Sequence, residues 1–182
     1  LACPGCHASL TLQADRVDPV ESGSLHCAAC QQDYPVVQGI PHFIQAAELS
    51  GYNRRFAMLY DRFAWAYQPF LAVAFAIIGI TEERARREIL DRLEPGGGKV
   101  LEVSIGPGGN LPFLVNRPDV GEVFGLDISL GQLRRCQAYT RRKGWPVDLF
   151  LGNAEQLPFQ DEVFDSLVHM GGINFFNDKK KA

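Results

Sequence analysis

The stretch VLEVSIGPGGN, running from Val100 to Asn110, decides how the chain folds. It reads as a strand that feeds a glycine-rich turn and then opens a helix. Glycines at such a turn let backbone approach a ligand closely, and the first N–H groups of the helix stay available to it. Read as G-x-G-x-x-G from Gly106, the third position holds Leu111 rather than Gly, so the dinucleotide fingerprint is incomplete. Outward from this turn the pattern alternates. Strands are expected over Lys99–Ser104, Glu122–Leu126, Val147–Leu151 and Phe164–His169, with helices over Asn110–Asn116 and Leu130–Lys143. Strand and helix in regular alternation give an α/β fold with a parallel sheet and right-handed crossovers. Upstream, Thr81-Glu-Glu-Arg offers an N-cap and an acidic first turn, predicting a helix to about Leu93 that Pro95-Gly-Gly-Gly98 stops.

The chemistry of the turn lies in its carboxylates. Glu102 stands just ahead of the glycines, where an acid suits a cationic ligand; Ser104, Gly106, Gly108 and Asn110 are the other candidate contacts of this stretch. Asp127 closes the next strand, where a carboxylate can accept both hydroxyls of a ribose, and Ile128 after it can pack on an adenine face. The alternative for Asp127 is an N-cap of the following helix. After the third strand comes GNAEQLPF, Gly152 to Phe159, where Asn153 and the Ala154 backbone can meet an adenine edge. His169 ends the fourth strand and is a candidate for cofactor contact and for a base or substrate-orienting group; a satisfied structural histidine is the alternative.

The first fifty residues differ. They carry one basic residue, Arg16, against five acidic ones, and they read as short strands and turns: Ser9–Gln13 alternates, Tyr34–Val37 is β-prone, and Pro4-Gly5, Ser22-Gly23 and Gly39 mark turns. Four of the five cysteines form two C-x-x-C pairs, Cys3/Cys6 and Cys27/Cys30. Two such turns can present four thiolates to one tetrahedral zinc, a closed structural site whose binding energy would help fold a segment with little core. His7 and His26 adjoin the pairs as substitute ligands or exposed neighbours. Cys136 reads as a buried small residue.

Both parts resemble known families. CPGC, CAAC and YPVVQGIP (Tyr34 to Pro41) resemble the small zinc ribbons fused in front of, or partnering with, methyltransferases. VLEVSIGPGGN, VFGLDIS (123–129), GNAEQLPF and FDSLVHMGGINFF (164–176), with Tyr60-Asp-Arg-Phe-Ala64 before them, resemble class I S-adenosylmethionine-dependent methyltransferases of the group that includes quinone-biosynthesis C-methyltransferases. The resemblance implies a Rossmann-like sheet with S-adenosylmethionine on the C-terminal edges of the first strands. Glu102 would face its cationic groups, Asp127 its ribose and Asn153 its adenine. Ser104 and Asn153 stand where Gly and Asp are commoner. The implied division is a zinc ribbon over 1–48 and a methyltransferase domain over 49–182, its boundary within Ala46–Tyr52. The family continues past the fourth strand. The expectation is therefore a fragment, or a chain whose fourth strand a partner covers, since an open apolar edge invites pairing.

Composition bounds the rest. The chain has 182 residues, 46% hydrophobic and 21% charged, with a net charge of −3, the balance of a globular protein and not of one drawn to nucleic acid by bulk charge. Leu1–Leu12 does not read as a signal peptide, and the uninterrupted apolar run Phe70–Ile80 is too short to span a bilayer, so a cytoplasmic protein is expected. A small-molecule methyl acceptor is the leading expectation. An rRNA or tRNA methyltransferase, using basic patches at Arg141-Arg-Lys143 and Lys179–Lys181, and an inactive binding module are the alternatives.

Overall fold

The computed structural model of the chain describes residues 1–14, 20–44, 81–170 and 176–180, together with Gly51, Arg54, Arg55, Met58 and Arg62. Apart from Gly51, the expected boundary at Ala46–Tyr52 lies outside the described residues, as do the apolar run Phe70–Ile80 and most of Tyr60–Ala64. No described helix is long and apolar enough to cross a membrane.

The N-terminal part is an antiparallel sheet of β1 (Thr11–Gln13), β2 (Ser22–His26), β3 (Asp33–Val37) and β4 (Ile40–Pro41), in that order. Turns fall at Pro4-Gly5 and Gly39 as expected. Ser22-Gly23, expected as a turn, instead opens β2 and pairs with Val37 and Val36. A Cβ on Gly23 would stand 2.6 Å from the Gln13 carbonyl, so this glycine marks a close approach of backbones rather than a reversal.

The second sheet is parallel. Its strands β5 (Lys99–Val103), β6 (Glu122–Asp127), β7 (Val147–Leu151) and β8 (Ser166–His169) lie in the order β7-β6-β5-β8. Three described helices accompany it: α1 (Glu82–Leu90), α2 (Leu111–Leu114) and α3 (Leu130–Lys143). Thr81 caps α1 by accepting the Arg84 N–H at 3.2 Å. The helix ends before Leu93 because its last turn tightens and Arg117 takes over its carbonyls, donating to Leu90 O at 2.5 Å and Leu93 O at 2.9 Å while pairing with Asp119. The second helix is shorter than the expected 110–116; beyond Leu114 the chain tightens, with Arg117 N–H on Leu114 O. The third matches its expected span, closed by Ser129 at one end and by Gly144 at φ 67° at the other.

Two apolar clusters lie against this sheet. Val100, Val123, Leu149 and Val168 pack with Leu90 of α1, Leu111 and Leu114 of α2, and Leu133 and Cys136 of α3. The alternate residues Leu101, Val103, Leu126 and Phe150 pack with Phe159 and with Leu25, Val36 and Phe43 of the N-terminal part. Period-two alternation thus gives one face to the helices, where Ile40 of β4 also packs, and the other to Leu25, Val36 and Phe43. The attachment is also polar: Phe43 N–H donates to Leu151 O at 2.8 Å, Ala2 N–H to Pro158 O at 3.0 Å, and Gln160 Nε2 to Ser9 Oγ at 2.7 Å. At the other side, among the described residues, β8 pairs with β5 alone, and its Leu167 is 52% exposed.

Candidate functional site

The C-terminal ends of the four parallel strands lie in one row. Asp127 is in register with Leu151, and Val103 with both Leu126 and His169. The chain leaves β5 through Ser104 at φ 58°, Gly106 at φ 56° and Gly108 at φ 85°. Ser104 is the strained member, a non-glycine residue in the left-handed region, which explains why Gly suits that position. A Cβ on Gly106 would meet nothing within 4 Å, so this glycine borders open space. Gly108 is the opposite: a Cβ there would come within 2.8 Å of Leu111 Cδ1 and 3.0 Å of Cys136 Sγ, so it seats the turn on α2 and α3. The expected buried role of Cys136 is thereby met.

Asp127 is 8% exposed and ties the turn to its own strand. Its Oδ2 accepts the Gly106 N–H at 2.8 Å and its Oδ1 accepts the Ser129 N–H at 2.9 Å. The N-cap of α3 is Ser129, whose Oγ accepts the Gln132 N–H at 3.2 Å, so the capping alternative for Asp127 is set aside. An ionised carboxylate offers about four acceptor sites, so both oxygens of Asp127 can take part in several bonds at once. Ile128 beside it is half-buried.

Glu102 is 2% exposed beneath the turn. Its Oε1 accepts from Asn110 Nδ2 at 2.6 Å, and its Oε2 has no partner among the described residues. Burial pushes this carboxyl up to about 8, with the Asn110 amide and the Arg86 charge opposing the rise. Arg86 of α1 donates to Asn110 Oδ1, completing an arginine–amide–acid chain from the helix to the strand. Sequence reasoning missed Arg86. Nothing distinguishes it from Arg84 and Arg87 except the helix face that turns toward Asn110.

After β7, Asn153 Oδ1 accepts the Glu155 N–H at 3.0 Å and so caps the short 3₁₀ turn Ala154–Gln156, in which Ala154 is buried. His169 lies across the row from this loop, its Nδ1 3.0 Å from Val103 O and its ring 5.2 Å from Phe176. The structure therefore places Glu102, Ser104, Gly106, Gly108, Asn110 and Asp127 around one turn, with Ile128, Asn153 and Ala154 on one side and His169 on the other.

The four cysteines meet. Cys3 and Cys30 sulfurs are 3.6 Å apart, those of Cys6 and Cys27 3.5 Å, and all four lie within 4.8 Å of one another, with no disulfide. Tetrahedral zinc with sulfur at about 2.3 Å spaces its ligands by about 3.8 Å, so the donor set fits. The two C-x-x-C turns repeat one geometry. His7 N–H returns to Cys3 O and Gln31 N–H to Cys27 O, each at 2.8 Å, and both His7 and Gln31 have φ 59°. Tyr34 Oη stands 3.2 Å from Cys3 Sγ, where its O–H can donate to a thiolate. His26 is occupied elsewhere, its Nδ1 2.8 Å from Asp33.

A parallel sheet in this order, with a glycine turn after β5 and acids in β5 and at the end of β6, defines a nucleotide-binding α/β unit. Residues 100–182 match the family described as "Methyltransferase domain". This part of the chain is similar to methyltransferase domains, with the fold of the class I S-adenosylmethionine-dependent type. Over 111 residues the chain is 40% identical to phthiotriol/phenolphthiotriol dimycocerosates methyltransferase 1 of Mycobacterium ulcerans, covering 57% of this chain and 40% of that protein. Over 112 residues it is 33% identical to phosphatidylethanolamine N-methyltransferase of Cereibacter sphaeroides, covering 60% and 53%. The chain is similar in fold to the crystal structure of the [4+2]-cyclase SpnF, with a TM-score of 0.58 at 19% identity over 79% of this chain and 56% of that one. The chain spans 40% and 53% of the lengths of these two curated relatives.

Proposed function

We propose that the chain is the cofactor-binding part of an S-adenosylmethionine-dependent methyltransferase that acts on a small-molecule acceptor and carries one structural zinc. The observation that carries this reading is the convergence of two strand carboxylates on one glycine turn: Asp127 bonds the Gly106 N–H directly, and Glu102 lies buried beneath, one of its oxygens without a partner among the described residues. S-adenosylmethionine supplies a methyl group already activated on a sulfonium. The protein's own work is to hold and align it, for which no acid or base is strictly needed. Asp127 accepts from the ribose, Ile128 packs on the adenine, and Asn153 with Ala154 frames its edge. Ser104, Gly106, Gly108 and Asn110 shape the turn around the methionine end, whose cationic groups Glu102 attracts. Cys3, Cys6, Cys27 and Cys30 hold the zinc, which has no open position and so no part in the chemistry.

The relatives' printed acceptors, phthiotriol dimycocerosates and phosphatidylethanolamine, support an acceptor of lipid character. The RNA reading gains no observation of its own: Arg141 is 3.0 Å from Glu21, and Arg142 lies over the Tyr139 ring. Four unbridged thiols grouped for a metal fit the reducing cytoplasm. Calorimetric titration with S-adenosylmethionine tests the reading. We expect saturable one-to-one binding by the wild type and an affinity about 100-fold weaker for Asp127→Ala, the loss of roughly two charge-assisted hydrogen bonds. Wild-type protein that takes up none sinks it.

A further inference from the structure

Four buried side-chain atoms lack a hydrogen-bond partner among the described residues: His42 Nε2, Glu102 Oε2, Gln132 Oε1 and His169 Nε2. Glu102 belongs to the site already described. His169 lies on the opposite side of the same turn and carries different chemistry. It ends β8 in register with Val103, the last residue of β5, and so lies beside the start of the glycine turn. Its Nδ1 is 3.0 Å from Val103 O. A carbonyl oxygen only accepts, so in the neutral ring Nδ1 carries the proton and Nε2 keeps its lone pair. Among the described residues that buried lone pair has no donor to accept from, a state that costs free energy and that a ligand donor would relieve. The ring is also held by Phe176.

Resting on the methyltransferase reading, we infer that His169 Nε2 receives the proton of the methyl acceptor, and that the acceptor atom is an oxygen or nitrogen bearing that proton. In the step, the acceptor lone pair forms the bond to the methyl carbon. The carbon–sulfur bond breaks and its electron pair stays on sulfur, turning the sulfonium into a neutral thioether. The O–H or N–H proton passes to Nε2, and the Nδ1–H of the resulting imidazolium stays on the Val103 carbonyl. The proton later leaves to solvent. No oxidant or further reactant is needed.

Nitrogen-15 NMR of the full-length protein labelled at histidine tests the tautomer without any turnover, the His169 signals being assigned by their loss in His169→Asn. A protonated Nδ1 with a bare Nε2 is expected; a proton on Nε2 overturns the inference. Transfer of labelled methyl is then followed to two probes, a long-chain phenol and a long-chain primary amine, which separate oxygen from nitrogen acceptors. His169→Asn keeps a donor for Val103 O and loses the base. We expect its kcat to fall about 100-fold or more, with the KM for S-adenosylmethionine within about twofold of wild type. Equal kcat in the two proteins, methylation at carbon, or transfer to neither probe overturns the inference. His169→Gln is the second variant and should behave alike. Wild type that binds no S-adenosylmethionine fails the methyltransferase reading itself; binding with undiminished turnover in both variants fails the His169 inference alone.

Discussion

Burial in the fold disfavours the ionised form of Glu102. Buried, with one oxygen on Asn110, it holds its proton up to about pH 8, against 4.5 for the unperturbed group. The sign of the linkage follows. Below pH 4.5 both folded and unfolded chains carry the proton. Between there and about 8 the unfolded chain releases what the folded chain retains, so stability falls as pH rises, then levels off. Glu102→Gln removes the titration. Melting temperature against pH should slope downward over that window in the wild type and run flatter in the variant. The same burial makes a cationic ligand release a proton on binding, since it favours the carboxylate. At this scale the sequence announced the acids but not their partners. Glu102 and Asp127 are conspicuous because carboxylates in strands are unusual; Arg86 is one arginine among several, and only the turn of α1 selects it.

At the scale of elements, the glycine turn is held from below. Gly108 sits at φ 85° with Leu111 and Cys136 against the place of its missing side chain. Gly108→Ala should cost about 2 kcal/mol or more, from the left-handed backbone and the clash together, read as a lowered urea midpoint. Thr81→Ala, by contrast, removes only the Arg84 N–H acceptor and should cost about 1 kcal/mol by the same measurement. The strands and α3 were legible because their apolar periods and caps are local signals. The end of α1 was not, because Arg117, across the α2 turn, closes it. Nor was β2: Gly23 is a turn residue by composition, and only its neighbour Gln13 shows that it serves strand pairing.

For the whole molecule, the N-terminal module both packs Leu25, Val36 and Phe43 on one face of the parallel sheet and bridges its β7 edge through His42 and Leu151. An aromatic series runs from it into the site: Tyr34 packs on Phe43 at 5.2 Å, Phe43 on Phe150 at 6.5 Å, and Phe150 on Phe159 at 5.2 Å. Tyr34 reaches Cys3, and Phe150 and Phe159 flank the loop that carries Asn153. Phe43→Ala should therefore cost about 3–5 kcal/mol, a core value rather than a surface one, in equilibrium unfolding. Metal analysis should find about one zinc per chain. Its removal by a strong chelator should lower the melting temperature by about 10 °C or more and weaken S-adenosylmethionine binding in the same preparation. Chelation that leaves both unchanged would mean that the cysteine cluster and the sheet are energetically independent.

The sequence by itself determined the elements whose causes are local: the parallel strands through their apolar runs, the turn through its glycines, and the pairing of four cysteines in two C-x-x-C turns. Only the tertiary structure decided how these meet. It seated Leu25, Val36 and Phe43 on the sheet, joined Asp127 to Gly106, gave Glu102 its Asn110 and Arg86, and set the His169 ring on the Val103 carbonyl. The reason is physical. Propensity and periodicity act over a few neighbouring residues, whereas burial and hydrogen-bond partners are settled between residues far apart in the chain, which no local pattern records.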